Sequence, residues 1–350
     1  MNNIDDITYL DSAATTSVDS RVLEAMLPYF SELFGNASSK HAYGDAPKKA
    51  IEKARQSVAD LISADNKEII FTSGATEAIN LAIKGFWEFN REKGNHIITV
   101  KTEHKAVLNT CEYLETLGVE ITYLDVDENG LISLEELRKA ITGSTLLVSV
   151  MYVNNEIGVI QDISKIGELC RGKGVAFFCD ATQAIGKVHV DVINDNIDLL
   201  CLSAHKFKGP KGAGALYIKS GIDISPQIHG GGQESELRGG TYNTPLIVGL
   251  GKACEIAKNE FADLIKELHA KRQKWERYFE VAGLGKVNFK NVKRAPHIIS
   301  ITLETDDAED YLLQNIEKIA ASTGSACNAE IINPSHVLKA IDNYDLKRTF

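Results

Sequence analysis

Leu199-Leu200-Cys201-Leu202-Ser203-Ala204-His205-Lys206 is an apolar run that ends abruptly in a hydroxyl, an imidazole and an amine. The run predicts a buried strand, and the turn Gly209-Pro210-Lys211-Gly212-Ala213-Gly214 that follows puts Lys206 at the strand's end. Just upstream, Val175-Ala176-Phe177-Phe178-Cys179 is a second such run, closed by Asp180. Ligands of open α/β sheets bind outside the carboxyl ends of the strands. Lys206 and Asp180 are therefore expected at one edge of one sheet.

An amine that can bond a carbonyl and a carboxylate that can hold a protonated pyridine nitrogen are the two groups a pyridoxal phosphate (PLP) site needs. A buried Lys–Asp ion pair is the competing reading, since buried charges must be paired and pairing alone proves no catalysis.

Outward from this pair, strands and helices alternate. Strands are expected at 68–72, 96–100, 120–124 and 146–150, with helices at 77–89, 106–117, 134–140 and 163–171 between and after them. Helices are also expected at 21–34 and 46–62. The alternation predicts an α/β fold with a mostly parallel sheet covered on both faces. From Ile247 to Tyr278 the sequence reads as one long helix crossing to a smaller α+β domain. That domain is expected to hold a strand at 297–303, a helix at 307–316 and a short strand at 319–321.

Several strand ends carry small or polar residues. Ser73-Gly74-Ala75-Thr76-Glu77 stands between a strand and a helix, where bare backbone N–H groups and the helix dipole favour a phosphate; an ordinary helix N-cap is the alternative. The PLP phosphate gives Ala75, Thr76, Ser203 and His205 a common purpose. His104 and Asn155 follow two further strands, so four strand ends converge on one crevice. Cys327, in Ser322-Thr323-Gly324-Ser325-Ala326-Cys327-Asn328, lies among small polar residues rather than in an apolar pattern. It is either a mobile nucleophile or an incidental loop cysteine. The Gly-rich stretches at 230–232 and 239–240 do not link a strand to a helix, so a dinucleotide loop is not indicated.

Composition narrows the class. The 350 residues allow about two domains. With 44% hydrophobic and 25% charged residues the chain is globular, and a net charge of −10 argues against nucleic acid. No apolar run approaches membrane-spanning length, and Met1–Asp6 has no signal-peptide character. Six cysteines without CxxC spacing suit a reducing compartment, so a cytoplasmic location is expected and no metal site.

The chain resembles the cysteine desulfurases of the NifS/IscS type, in the class V aminotransferase group of fold-type I PLP enzymes. The resemblance spans about residues 7–345 and rests on SGATEAINLAIKG, KTEHKAVL, VNNEIGVIQDI, DATQAIGK, SAHKFKGPKGAGALY, HGGGQE, RGGT and STGSACN. It implies a seven-stranded-type sheet in a large domain (16–250) and a small domain (1–15 and 251–350) carrying the cysteine loop. By it, Lys206 carries PLP, Asp180 bonds the pyridine nitrogen, Gln183 bonds the ring hydroxyl, and His104 stacks on the ring and shuttles protons. Ala75, Thr76, Ser203 and His205 hold the phosphate, with Thr241 supplied by the second subunit of a homodimer. Asn155 faces the substrate and Arg238 lies nearby. L-Cysteine would become L-alanine, with its sulfur left as a persulfide on Cys327 for an acceptor or iron–sulfur scaffold protein. The family's strand with a carboxylate-binding Arg has no counterpart before Phe350. The small domain is therefore expected to be C-terminally shortened, leaving that contact to Arg348, Arg238 or Asn155. Two other functions stay open: a weakly active or inactive homologue serving as a sulfur-transfer binding partner, and a selenocysteine lyase.

Overall fold

A computed structural model describes residues 7–305, 307–308, 314–315, 317–321, 335–341 and 349. Its strands are β1 (Thr8–Tyr9), β2 (Ile69–Thr72), β3 (His96–Val100), β4 (Glu120–Leu124), β5 (Thr145–Ser149), β6 (Ala176–Asp180), β7 (Leu199–Ser203), β8 (Gly214–Ile218), β9 (Gly285–Val287), β10 (Ile301–Leu303) and β11 (Ile319–Ala320). Its α-helices are α1 (Ser20–Met26), α2 (Pro28–Ser31), α3 (Ala42–Ile62), α4 (Ala75–Asn90), α5 (Lys105–Thr116), α6 (Leu134–Ala140), α7 (Ile163–Lys173), α8 (Thr244–Asn259), α9 (Phe261–Val281) and α10 (His336–Ala340).

The main sheet has seven strands in the order β2-β8-β7-β6-β5-β3-β4. All its pairings are parallel except the two made by β8. Side chains alternate between the two faces, as the two-residue period of a strand dictates. Phe177, Cys179, Leu200 and Leu202 enter one core beneath α3, α7 and α8. Phe178, Leu199 and Cys201 enter the other beneath α4 and α5. Phe177 and Phe178 are both fully buried, and truncating either to Ala should cost about 3–5 kcal/mol.

Helix α8 closes the first core by packing on α3 and α1. At Gly251 a Cβ would stand 2.5 Å from the Ala54 Cα, so only glycine allows the two helices this close. Among the described residues, no helix is long and apolar enough to cross a membrane.

Four expectations need revision. The sequence predicts no strand after the Gly209–Gly214 turn, yet β8, Gly214–Ile218, is fully buried between β2 and β7. The expected long helix is two, α8 and α9, separated at Glu260 (φ −100°, ψ 6°), where the chain leaves helical geometry. Residues 21–34 likewise divide between α1 and α2 near Pro28, which starts the second helix. Only 301–303 of the expected 297–303 strand pair with β9, antiparallel. Most of the helix expected at 307–316 lies outside the described residues.

Beyond the main sheet, β9 and β10 form a two-stranded ribbon. β11 pairs in parallel with β1, register Thr8 to Ile319 and Tyr9 to Ala320, tying the two ends of the chain together.

Candidate functional site

Lys206 lies in a 3₁₀ turn, Ala204–Lys206, directly after β7. Its Nζ donates to the Ala13 carbonyl at 2.7 Å and the Ala14 carbonyl at 2.8 Å. The segment after β1 thus forms a cradle of two carbonyls for the amine.

Asp180 ends the neighbouring strand β6 and is buried, 6% exposed. Its Oδ1 accepts from the Thr182 backbone N–H at 2.9 Å and from the Cys201 thiol at 3.3 Å. Among the described residues nothing bonds Oδ2. One oxygen therefore fixes the carboxylate while the other is left to accept a proton donor. This is what a pyridinium N–H requires.

His104 is the N-cap of α5, and its Nδ1 accepts from the Ala106 N–H at 3.1 Å. An acceptor at Nδ1 requires the neutral ring's proton at Nε2. Burial pushes this imidazole's pKa down; Asp180 opposes the shift, while Lys206 adds to it. His104 is accordingly a neutral ring with one defined proton at the crevice. Beside it, Glu103 is fully buried and turned to Met151, its Oε1 accepting that residue's backbone N–H. Burial first, then the nearby Asp180, raise its pKa well above the usual carboxylate range.

The phosphate end is built around α4. Gly74 caps the helix without a side chain, at φ +154°, a conformation that disfavours any other residue. A Cβ there would lie 3.6 Å from Ser203 Oγ, inside the space the hydroxyl faces. Ala75 and Thr76 open the 16-residue helix, and neither the Ser203 nor the Thr76 hydroxyl has a partner among the described residues. His205 Nδ1 meets Thr15 Oγ1 at 3.1 Å. Burial first, then Lys206, Lys211 and Lys187, pull the His205 pKa to about 4, so the ring is neutral at physiological pH. Bare helix N–H groups, two open hydroxyls and an uncharged imidazole fit a phosphate ester. With Asp180 Oδ2 and the cradled Lys206, these residues match both ends of PLP.

Asn155 is half-buried and has no hydrogen-bond partner among the described residues, while Asn154 holds the loop. The Asn154 Nδ2 donates to the Thr102 carbonyl at 2.9 Å, and its Oδ1 accepts from Glu156 and Ile157 N–H groups. Gln183 Nε2 donates to the Ala13 carbonyl at 2.8 Å, and its Oε1 meets His297 Nε2 at 3.2 Å. Arg238 pairs with Glu77 in the first turn of α4, Nε to Oε1 at 2.9 Å. Thr241 is exposed and lines a separate cavity of about 140 Å³ with Tyr29, Leu33, Phe34 and Tyr242. That loop is held by Glu234, whose buried carboxylate takes both Arg55 Nη atoms, at 2.8 and 2.9 Å, and the Phe71 N–H.

Cys327 and Arg348 lie outside the described residues. The chain on either side of 322–334 is anchored beside the crevice. Ile319–Ala320 pairs with β1, whose continuation holds Lys206. On the other side Ser335 Oγ donates to Glu156 Oε2, and His336 Nε2 meets the Glu103 carbonyl at 2.9 Å. Cys111, Cys170, Cys179, Cys201 and Cys254 are all buried, and burial raises the pKa of each, to about 12 for Cys111 and Cys170.

Reading the sequence missed the Ala13 and Ala14 carbonyls, Glu103, Lys187 and His297. The small-residue run at 12–16 was visible, but its pairing with Lys206 spans 193 positions. Nothing local signals such a contact.

Residues 8–344 match the family model "Aminotransferase class-V". The chain is 51% identical over 340 residues to a protein of Neisseria meningitidis serogroup C named "Cysteine desulfurase IscS", covering 96% of this chain and 84% of that one. Among solved structures it resembles a "NIFS-LIKE PROTEIN", with a TM-score of 0.88 and 36% identity over 96% of this chain and 89% of the other. It also resembles "SspA in complex with cysteine", with a TM-score of 0.84 and 40% identity over 97% of this chain and 96% of the other.

Proposed function

The chain belongs to the class V aminotransferase family, and we propose that within it this protein is a PLP-dependent cysteine desulfurase. It takes the sulfur of L-cysteine onto an enzyme thiol and releases L-alanine. The carrying observation is the convergence of Lys206, Asp180 and His104 at the ends of β7, β6 and the turn after β3. When bound, PLP supplies an electron sink for the charge left at the substrate Cα after its proton is removed.

The chain's own groups set the rest. Asp180 Oδ2 accepts a hydrogen bond from the protonated ring nitrogen, and burial disfavours a second charge on the neighbouring Glu103. Gln183 bonds the ring hydroxyl, and Ala75, Thr76, Ser203 and His205 hold the phosphate. Lys206 carries the cofactor and, once released by substrate, takes the Cα proton on Nζ. The Ala13 and Ala14 carbonyls give that amine a fixed resting place. His104 offers a proton at Nε2. Asn155 meets the substrate through an amide that no described residue bonds.

Cys327 is the sulfur acceptor in this reading. Two observations support it: the anchors at 319–320 and 335–336 flank the crevice, and the five described thiols are buried and hard to ionise. Attack by the Cys327 thiolate on the substrate sulfur breaks its C–S bond. The sulfur stays as a persulfide, and the electron pair returns to the substrate carbon, which is protonated on the way to alanine. The persulfide then serves an acceptor such as an iron–sulfur scaffold protein.

A homodimer completes the site. Leu27, Phe30, Phe34 and Tyr43 are exposed apolar residues, with Phe34 and Tyr43 each 64% accessible and packed on one another, the kind of surface a partner subunit would cover. Thr241 borders this face through Phe34 and Tyr29, which suits a residue that reaches the neighbour's phosphate cradle. The division into a large domain (16–250) and a small one (1–15 and 251–350) is part of the same reading. So is a reducing, cytoplasmic setting, which suits five unpaired buried thiols.

The test is direct. Purified protein with PLP should be yellow, lose the yellow band on borohydride reduction while retaining the pyridoxyl group covalently, and release alanine and sulfide from L-cysteine. A colourless chain that ignores PLP would sink the assignment.

A further inference from the structure

The Gln183 amide is buried, 3% exposed, and among the described residues it meets two groups, Ala13 and His297. The Ala13 carbonyl can only accept, so the NH₂ edge of the amide faces it. The Oε1 edge then faces His297, whose Nε2 must carry the proton. A ring protonated at Nε2 alone leaves Nδ1 a bare acceptor, and Nδ1 is indeed buried without a partner.

The surroundings lock that tautomer. His297 precedes β10 and inserts toward the sheet with Ala295 and Ile298, which join the core beneath α8. Burial, then Lys187, Lys206 and Arg272, keep the imidazole from taking a second proton, and its pKa falls well below the usual value. Lys187 itself is buried with no partner for its Nζ, and burial lowers its pKa to about 7. Among the described residues no carboxylate opposes either shift.

We propose that His297 is a positioning residue for the cofactor ring, fixing the Gln183 carboxamide so that its second N–H is held toward the crevice beside Lys206. The inference rests on the function proposed above and extends it, because it assigns the orientation of Gln183 to a residue 114 positions away. Asp180 fixes one side of the ring from within the sheet. His297 fixes the other from the segment that leads into the β9–β10 ribbon.

The ring can be read without any variant. In the unmutated apo chain, ¹⁵N shifts of His297 should show a protonated Nε2 and a bare Nδ1, unchanged from about pH 6 to 9. A ring that titrates in this range, or carries its proton on Nδ1, overturns the proposal. In holoprotein, His297→Leu should weaken PLP binding about tenfold and displace the pH midpoint of its visible band by about one unit. His297→Gln, whose amide nitrogen takes the place of Nε2, should restore both. Gln183→Leu should reproduce the His297→Leu effect, and the double variant should go no further. Additive effects, or no rescue by His297→Gln despite a native melting temperature, would refute the coupling. Wild-type protein that binds no PLP would instead overturn the function on which the inference rests, and the inference with it.

Discussion

The rim formed by residues 73–76, 102–104, 180–183 and 203–206 and the two flanks of 322–334 are held in different ways. Each rim segment follows a strand of one seven-stranded sheet, so the positions of its side chains are set by the sheet's register. The flanks are held at two places, by the β1–β11 pairing and by Ser335 and His336 on the rim's own loops. A register cannot shift by a fraction of a residue, whereas each flank rests on a single local anchor. In the proposed function, gripping the cofactor and delivering the thiol therefore fall to separately held parts, and substitutions should separate them.

Lys206→Ala should give the largest effect. It removes both the covalent attachment and the base, and should lower turnover by at least about 10⁴-fold. A pyridoxyl group that stays attached to this variant after borohydride reduction and denaturation would place the attachment elsewhere. Cys327→Ala should be as damaging to alanine and persulfide formation, yet leave PLP affinity and the resting spectrum unchanged. If the spectrum moves as much as the rate, the two regions are not separable.

A subtler effect is expected at Glu156, where the anchor meets the rim. Burial raises its pKa from 4.5 to about 7, against the opposing pull of Ser335 and Lys105. The folded protein thus binds this proton more tightly than the unfolded chain does. The stability it confers is full below about pH 4.5 and is lost as pH rises through about 7. Melting temperature should fall from about pH 5 to pH 8, and Glu156→Gln should flatten part of that fall. Identical slopes in the two proteins would show that Glu156 does not couple. Smallest of all, Ser335→Ala removes the N-cap of α10 and should cost about 0.5–2 kcal/mol locally, read by hydrogen exchange at Leu338. A loss of PLP affinity in this variant would join the regions that the comparison separates.

What the sequence made legible follows from range. Lys206, Asp180, His104 and Asn155 each close a run of apolar residues, so a local pattern marks both strand and strand end. β8 escaped because the Gly209–Gly214 turn obscures where its five buried residues begin. The division of 244–281 at Glu260 has no proline or glycine to announce it. The Ala13 cradle and the His297–Gln183 pair unite residues more than a hundred positions apart, and such contacts leave no local periodicity.

The position of β2 has a consequence for the order in which the molecule is built. β2 touches the rest of the sheet only through β8, whose residues follow it in the chain by more than 140 positions. A ribosome therefore releases β3 to β7 before the strand that can receive β2 exists. The parallel centre, with Asp180 and His104, can condense first, while Gly74 and the start of α4 wait for Gly214–Ile218. Nascent chains arrested before residue 214 should protect the β5–β6 amides from exchange but not those of Ile69–Thr72. Early protection of 69–72 would reverse that order. On this timetable the phosphate cradle forms only after the strands that carry Asp180 and Lys206, so a newly made chain commits to its cofactor only when the sheet is closed.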